Sequence, residues 1–160
     1  MLKRYVMLAS GLLVNSLTYA AVTNYQGGAG SMGTVTISAT VAEGCDMSIP
    51  DLAFGAYDPN TGTPTTQDAT IDYQCTTGTV PQVSFASATL AMAGPGSDVI
   101  NYSLHQGTGG TGTAWTSTAP YVLATATGSA QTASYSGSIP VNQFVQSGSY
   151  SQDLTMTLSF

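Results

Sequence analysis

His105 is the only imidazole in the chain, so any catalysis by a serine and a general base must use it. Ser103 is the nearest candidate nucleophile, and Asp98 is a possible orienting carboxylate. Nothing around the serines resembles a nucleophile elbow. His105 ends an alternating apolar run that begins at Ile100, which places the imidazole on the opposite face from those apolar side chains. We therefore expect His105 to face solvent or an intermolecular contact, and we predict no enzyme activity.

Two other segments contain residue types found in active sites. Asp51 and Asp58 could form the carboxylate pair of a glycoside hydrolase, but both lie in turn-like segments, where Asp is favoured for backbone reasons. The glycine-rich segment 107–112 could cradle a phosphate, but neither a Lys nor a helix pattern follows it. We interpret this segment as a hairpin loop. The sequence predicts no cofactor.

The first 20 residues have the pattern of a secretory signal peptide. Lys3 and Arg4 precede an apolar run at 5–17, and Ala20 ends a small-residue cleavage pattern. The run is interrupted by polar residues and is shorter than the about 20 apolar residues that a membrane span needs. We predict that residues 1–20 are removed and that the rest of the chain is exported; a retained anchor is the alternative.

Cleavage would also remove every basic side chain. The sequence has two, Lys3 and Arg4, whereas its eight acidic residues all lie beyond residue 20. The exported chain therefore has a net charge of about −8 at neutral pH. Nucleic acid is excluded as a partner because phosphate binding draws its affinity from Lys and Arg.

Cys45 and Cys75 are the only cysteines. In an exported chain, a lone pair is most simply a disulfide. A metal site is the alternative, but two Cys and one His do not complete a tetrahedral set without carboxylates. We predict a disulfide and no metal.

The remaining residues, about 140, are enough for one domain, and their apolar pattern has the period of β-strands. Residues 21–33 are polar and small and predict a flexible leader. In 34–41 hydroxyl and apolar side chains alternate strictly, so one face carries four apolar side chains: Val35, Ile37, Ala39 and Val41.

Seven further strands are predicted, at Cys45–Phe54, Ala69–Cys75, Gln82–Ser87, Val99–His105, Tyr121–Thr127, Ser134–Val141 and Tyr150–Phe160. Turn residues separate them, and this spacing predicts an all-β sandwich of immunoglobulin-like type. The last strand carries a second apolar alternation: Leu154, Met156, Leu158 and Phe160.

Several short motifs, taken in order, resemble the spore coat protein U domain, which also forms the subunits of archaic, Csu-type chaperone–usher pili. They are Cys45, Leu-Ala-Phe-Gly-Ala-Tyr at 52–57, Tyr-Gln-Cys-Thr at 73–76, Ile-Pro at 139–140 and Gly-Ser-Tyr-Ser-Gln-Asp-Leu-Thr-Met-Thr at 148–157. The resemblance extends from about residue 34 to the C-terminus.

This resemblance implies an incomplete immunoglobulin-like sandwich that is completed by a donor strand from a neighbouring subunit. The donor side chains would be Val35, Ile37, Ala39 and Val41, and the acceptor groove and chaperone-binding strand would carry Leu154, Met156, Leu158 and Phe160. The implied partners are a periplasmic chaperone, an outer-membrane usher and identical or homologous subunits in a head-to-tail polymer at the cell surface. The implied domains are a leader with donor strand at 21–42 and a pilin domain at 43–160.

Three functions stay open at this point. The first is a pilus subunit in adhesion or biofilm formation, in the rod because tip adhesins have two domains and this chain has room for one. The second is a non-fimbrial spore coat or cell-surface coat protein, in which the N-terminal strand completes its own domain. The third is a secreted glycan-binding module, for which Trp115 with Tyr121 is the only candidate aromatic platform.

Overall fold

The computed structural model describes residues 33–160. The predicted signal peptide, 1–20, and the leader up to residue 32 lie outside the described residues. The chain divides after Ala39 into two units, and the second, 40–160, contains all the strands found among the described residues. None of the described residues forms a helix that is long and apolar enough to cross a membrane.

Ten β-strands make up the second unit. They are β1 (Cys45–Ser48), β2 (Thr65–Cys75), β3 (Gln82–Phe85), β4 (Ala91–Ala93), β5 (Val99–Asn101), β6 (Ser103–Gln106), β7 (Ala114–Trp115), β8 (Tyr121–Val122), β9 (Gln131–Ile139) and β10 (Met156–Ser159). The predicted all-β class is confirmed for these residues.

The strands form two layers in which all the paired strands are antiparallel. The first layer is a five-stranded sheet in the order β1-β2-β9-β6-β7. The second consists of a three-stranded sheet, β10-β3-β8, and a two-stranded sheet, β4-β5. A single bridge between Ala93 and Ser151 links β4 to the chain that leads into β10. Alternation along β2 and β3 puts Ile71 and Val83 in one shared core between the layers.

Trp115 lies at the centre of this core, with none of its surface exposed. Its ring meets Phe85, Tyr121 and Tyr135 edge to face, with centroid distances of 5.5, 5.7 and 5.7 Å. The indole N–H donates to the Val83 carbonyl at 3.2 Å. An exposed aromatic platform at Trp115 is therefore wrong, because the largest side chain of the domain is used for core packing.

Several strand boundaries differ from the predicted ones. The predicted strand 45–54 ends at Ser48, just before Pro50, which has no N–H for a ladder. The predicted strand 99–105 is divided at Tyr102, because β5 pairs with β4 whereas β6 pairs with β9. The strands at Tyr121–Val122 and Met156–Ser159 are shorter than predicted, and β4 and β7 were not predicted. The division at Tyr102 marks the point where the chain passes from one layer to the other.

The predicted disulfide between Cys45 and Cys75 forms, and it links two residues that lie opposite each other in β1 and β2. It closes a loop with a sequence separation of 30. In the chain-entropy model, such a crosslink stabilises the folded state by roughly 3–4 kcal/mol.

We expect the double variant Cys45→Ser, Cys75→Ser to lose that stabilisation, which would lower the thermal midpoint by about 10 °C or more. Thermal unfolding of the variant, beside oxidised and reduced wild type, measures the effect. Reduced wild type should match the variant. If all three samples unfold at the same temperature, the disulfide does not stabilise the domain.

Candidate functional site: an open groove between two sheet edges

Two strands at opposite ends of the chain form free edges of the two layers. β1 is the outer strand of the five-stranded sheet, and β10 is the outer strand of the three-stranded sheet. Within residues 33–160, neither strand has a partner on its outer side. The segment 49–57 continues β1 and the segment 143–155 leads into β10, and both carry alternating half-buried side chains without forming a ladder over most of their length.

Between these two segments lies a groove lined by both apolar and polar groups. It consists of two neighbouring hollows of about 560 and 660 Å³, which share the lining residues Leu52, Phe54, Met92 and Tyr150. One wall comes from the chain after β1, and the facing wall comes from the chain before β10. The apolar side chains of the first hollow are Met47, Ile49, Leu52, Phe54, Met92, Leu104, Leu154 and Met156, together with the tyrosines 102, 135 and 150.

Gly137 on β9 lies beneath Leu52 and Phe54 of the first wall. A Cβ at this position would lie 2.5 Å from Phe54 Cζ and 2.6 Å from Leu52 Cδ2. Non-bonded carbon atoms do not approach each other so closely, so Leu52 and Phe54 occupy the space that a side chain at position 137 would need. Because residue 137 has no side chain, Leu52 and Phe54 of the first wall pack directly over the backbone of β9.

Gln152 is the polar member of the second wall. Its side-chain carbonyl accepts hydrogen bonds from the Ala91 N–H at 3.0 Å and from the Tyr102 hydroxyl at 2.9 Å, and its amide donates to the Thr89 carbonyl at 3.1 Å. These bonds satisfy backbone groups where the second layer is interrupted between β3 and β4. The amide thus fixes the wall against the layer without leaving an unsatisfied polar group in the groove.

Two groove tyrosines are protected from ionisation. Burial raises the pKa of Tyr102, and burial together with the nearby Asp51 carboxylate raises the pKa of Tyr135. Their hydroxyls donate to Gln152 and to the Pro50 carbonyl. Both groups are neutral when folded and ionise more readily when unfolded, so their contribution to stability is complete below the ordinary pKa of about 10.

We expect the unfolding free energy to fall as the pH rises above about 10, because the unfolded chain then releases tyrosine protons that the folded chain retains. Denaturant titrations from pH 8 to 11 measure the slope. The double variant Tyr102→Phe, Tyr135→Phe should show a shallower fall over the same range. An unchanged slope in the variant would assign the alkaline loss to other groups.

The side chains predicted for the groove lie in three different environments. Leu154 and Met156 line the first hollow. Leu158 packs against the core below β10 and lines neither hollow. Phe160 follows the end of β10, where it is 55% exposed and outside the groove lining. The alternation continues to the end of the chain, but the groove does not.

The predicted donor segment is exposed. Residues 33–44 belong to no strand, and Val35, Ile37 and Val41 are 78%, 93% and 80% exposed. Ala39 is exposed as well. Three large apolar side chains on one face therefore have no cover within the described residues.

The model of the Spore Coat Protein U domain matches residues 31–157 of this sequence, which is most of the chain. The chain belongs to the Spore Coat Protein U domain family. The matched range contains both walls of the groove, both cysteines and the exposed alternating segment 34–41. The resemblance noted in the sequence motifs is thereby confirmed.

A solved structure supports the fold of this Spore Coat Protein U domain. The domain is similar to a chain in the crystal structure of the CsuC–CsuE chaperone–tip adhesion subunit pre-assembly complex from archaic chaperone–usher Csu pili of Acinetobacter baumannii, with a TM-score of 0.55 and 18% identity. The match covers 76% of this chain but spans only 41% of the other. No curated protein matches the sequence significantly. The similarity shows a shared fold.

The residues considered for catalysis do not assemble as a triad. Ser103 Oγ lies 2.9 Å from His105 Nε2, but His105 Nδ1 lies 3.0 Å from the Gly112 carbonyl oxygen. Asp98 instead accepts a hydrogen bond from the Gln146 N–H at 2.7 Å. His105 is half-buried, and neither hollow of the groove is lined by Ser103 or His105. His105 thus links Ser103 to the loop residue Gly112. Neither Ser103 nor His105 adjoins the groove, so the pair has no substrate site there.

The other two segments have structural roles. The carboxylate of Asp58 accepts hydrogen bonds from the Asn60 N–H at 2.9 Å and the Asn60 side-chain amide at 3.2 Å, as expected in a turn. The glycine-rich segment 107–112 connects β6 to β7 and folds against the five-stranded sheet, where Gly109 N–H donates to Asp68 at 2.7 Å. It is a hairpin loop, as predicted.

Sequence reasoning missed half of the groove. Leu52 and Phe54 were placed on a strand but not on a binding wall, and Gly137 was not singled out. The alternation of Met47 and Ile49 continues at Leu52 and Phe54 after a one-residue shift at Pro50-Asp51, and this shift is the sequence signal that could have marked a second wall.

Proposed function

We propose that this chain is a structural subunit of an extracellular pilus, assembled by the chaperone–usher pathway through donor-strand complementation and exchange. The segment Val35–Val41 of one subunit would enter the groove of the next. Exported through the periplasm, the chain would polymerise at the cell surface and serve adhesion or biofilm formation.

One observation carries this proposal: the domain has a groove with apolar side chains along both walls between two free strand edges, and the same chain has an exposed segment whose apolar side chains alternate with the period of a strand. A strand placed in the groove would gain main-chain hydrogen bonds from an unpaired edge and would bury alternate side chains. An exposed edge of this kind otherwise invites aggregation. Burying Val35, Ile37 and Val41 at about 1.5–3 kcal/mol each supplies roughly 5–9 kcal/mol before entropy.

The presence of both parts in one chain favours an internal position in the polymer. A subunit at a filament tip needs only a groove, whereas a rod subunit needs a groove and a donor segment. Contact between two different surfaces of identical subunits is head to tail and does not have to close, so it generates a filament. We therefore propose the rod as its place.

The same groove supports a proposal for the partners. Before assembly it needs a temporary occupant, and a periplasmic chaperone that lends a strand would fill that role. The similar chain from the CsuC–CsuE complex belongs to such an assembly, which supports the proposal. An outer-membrane usher would then exchange the chaperone strand for the donor segment of the next subunit.

The test compares residues 21–160 with residues 43–160, which lack the donor segment. We expect the longer protein to form heat-resistant head-to-tail oligomers. The shorter one should be a monomer of low heat resistance, and a synthetic peptide of residues 34–42 should restore that resistance. Size-exclusion chromatography and thermal unfolding give both measurements. If residues 43–160 form a heat-stable monomer that the peptide does not change, strand exchange is wrong.

The family description favours a second candidate, a coat protein whose N-terminal strand completes its own domain. The chain pairs with β2 only from Gly44 onward, where Thr76 N–H donates to the Gly44 carbonyl at 2.9 Å and Gly44 N–H donates to the Thr76 hydroxyl at 3.1 Å. Residues 33–43 belong to no strand, which favours strand exchange over self-completion. A stable monomer of residues 21–160 would support the coat protein instead.

A further inference from the structure

The domain has two ends that are defined by the direction of its strands. The first, which we call the arm end, contains Gly44 and Cys45, the loop 76–81 and the C-terminal residue Phe160. The second, which we call the groove end, contains 57–65 and 139–148, and the second hollow opens there. The chain that leads to the donor segment leaves from the arm end.

The spacer between donor segment and domain is very short. Only residues 42–44 separate Val41 from Cys45, so the two can be at most about 14 Å apart. Gly44 is also held by its two hydrogen bonds to Thr76. A subunit whose donor segment occupies a neighbour's groove must therefore place its arm end directly against that neighbour.

The arm end carries an exposed apolar patch. Val122 lies opposite Gln82 in the ladder between β3 and β8, Val80 lies two residues before Gln82, and Ser159, next to Phe160, lies opposite Gln82 on the other side. Val80, Val122 and Phe160 are 45%, 52% and 55% exposed. Val80 and Val122 share the face of Gln82, which is turned away from the core, and we call these two side chains the arm-end patch. Phe160 lies at the same end but has the parity of Leu158, which faces the core, so it does not belong to the patch.

The groove end carries an exposed aromatic side chain on a well-fixed backbone. Phe144 is 69% exposed. Its neighbour Gln143 accepts from the Asn101 N–H at 2.8 Å, donates to the Asn101 carbonyl at 2.9 Å, and has its own N–H bound to the Tyr57 hydroxyl at 3.0 Å. Phe144 is thus held outward by hydrogen bonds on the preceding residue.

The incoming subunit fits at the groove end. In a filament, the arm end of each subunit faces the neighbour that receives its donor segment. The other neighbour, whose donor segment enters this subunit's groove, would crowd that surface if it bound at the same end. The contact must also form without ion pairs between side chains of opposite charge, because residues 21–160 contain no Lys or Arg. Apolar side chains meet this requirement.

We infer that consecutive subunits make a second contact, in which Phe144 of the subunit that supplies the groove packs on the arm-end patch of the subunit that supplies the donor strand. This inference depends on the proposed strand exchange. The contact would restrict rotation about the spacer and stiffen the filament, and the donor strand alone would supply most of the binding energy.

Engineered disulfides test the contact within the assembled polymer. The two native cysteines are already paired, so a chain with Phe144→Cys and Val80→Cys, or with Phe144→Cys and Val122→Cys, adds only the intended thiols. Disulfides need Cα atoms within about 7 Å. We expect an oxidised polymer whose ladder of oligomers survives boiling in detergent and disappears on reduction. The control pair is Phe144→Cys with Thr70→Cys, since Thr70 is exposed in the middle of β2.

Three outcomes are distinguishable. A reducible ladder for either arm-end pair, at least tenfold stronger than for the control, supports the contact. A polymer that forms normally but crosslinks no more than the control overturns it and leaves strand exchange intact. If the unsubstituted exported chain forms no polymer, the proposed function fails first, and the inference fails with it.

Filament stiffness provides an independent measurement. The variant Phe144→Asp should assemble into the same ladder of unboiled oligomers, but its filaments should bend more, with a persistence length at most half that of wild type in negative-stain micrographs. The control Asn142→Asp places the same charge two residues away. Equal persistence lengths for Phe144→Asp and wild type would overturn the contact.

Discussion

The variant Ile37→Asp is expected to stay unpolymerised under conditions in which the wild-type chain forms filaments. Ile37 is the most exposed of the three large donor side chains, at 93%, and it lies near the centre of the alternating face. In the groove it would lose about 1.5–3 kcal/mol of apolar burial, and burying a carboxylate there would cost several kcal/mol more. A total above about 4 kcal/mol weakens binding by roughly 1000-fold.

The control for this experiment is the neighbouring residue. Ser38→Asp adds the same charge one position along, on the face that would point out of the groove, and we expect it to polymerise nearly as wild type does. Chromatography and electron microscopy of both variants measure the difference. Equal loss in both variants would mean that charge on the segment, and not its apolar face, prevents assembly. Normal polymers of Ile37→Asp would contradict the donor role.

The parts of this protein that sequence predicted well are those encoded by local alternation. The face of Val35, Ile37 and Val41 is defined by period two alone, and the disulfide by a lone pair of cysteines in an exported chain. The first inference requires only that apolar and polar residues alternate along the chain. The second requires only that the chain contains a single pair of cysteines. The all-β class follows in the same way from many short alternating segments.

The parts that sequence did not predict depend on contacts between distant residues. Trp115 lies in a two-residue strand with no period to reveal its face, and its burial results from the approach of Phe85, Tyr121 and Tyr135. From the sequence alone, Gly137 is a residue that weakens a strand. In the structure, Leu52 and Phe54 occupy the space that a side chain at this position would need. Both positions are set by how the two layers meet.

Phe160 illustrates the limit of an alternation rule. It shares the parity of Leu154, Met156 and Leu158, yet it is 55% exposed because the groove lining ends before it. Parity assigns a side chain to one face of a strand, and burial depends on whether another element covers that face. At the arm end none of the described residues covers Phe160 fully.

A variant of the groove should also fail to polymerise, in this case because the acceptor and not the donor segment is altered. Leu154 lines the first hollow, and Leu154→Asp would place a carboxylate where the donor side chains are to be buried. We expect a loss of polymers as large as that of Ile37→Asp, again roughly 1000-fold in strand binding. Thr155→Asp is the matched control, since Thr155 is exposed and lies on the other face of the same segment. Its polymers should be close to wild type.

Mixing the two defective variants separates a donor from an acceptor. Ile37→Asp retains an intact groove and Leu154→Asp retains an intact donor segment, so one productive contact remains possible between them. That dimer cannot grow, because its free groove carries the Leu154→Asp substitution and its free donor segment carries the Ile37→Asp substitution. Size-exclusion chromatography with light scattering should therefore show dimers in the mixture and monomers in each separate sample. Longer polymers in the mixture, or no dimer although each variant folds, would contradict head-to-tail strand exchange, because only a chain with one donor and one acceptor gives this stoichiometry.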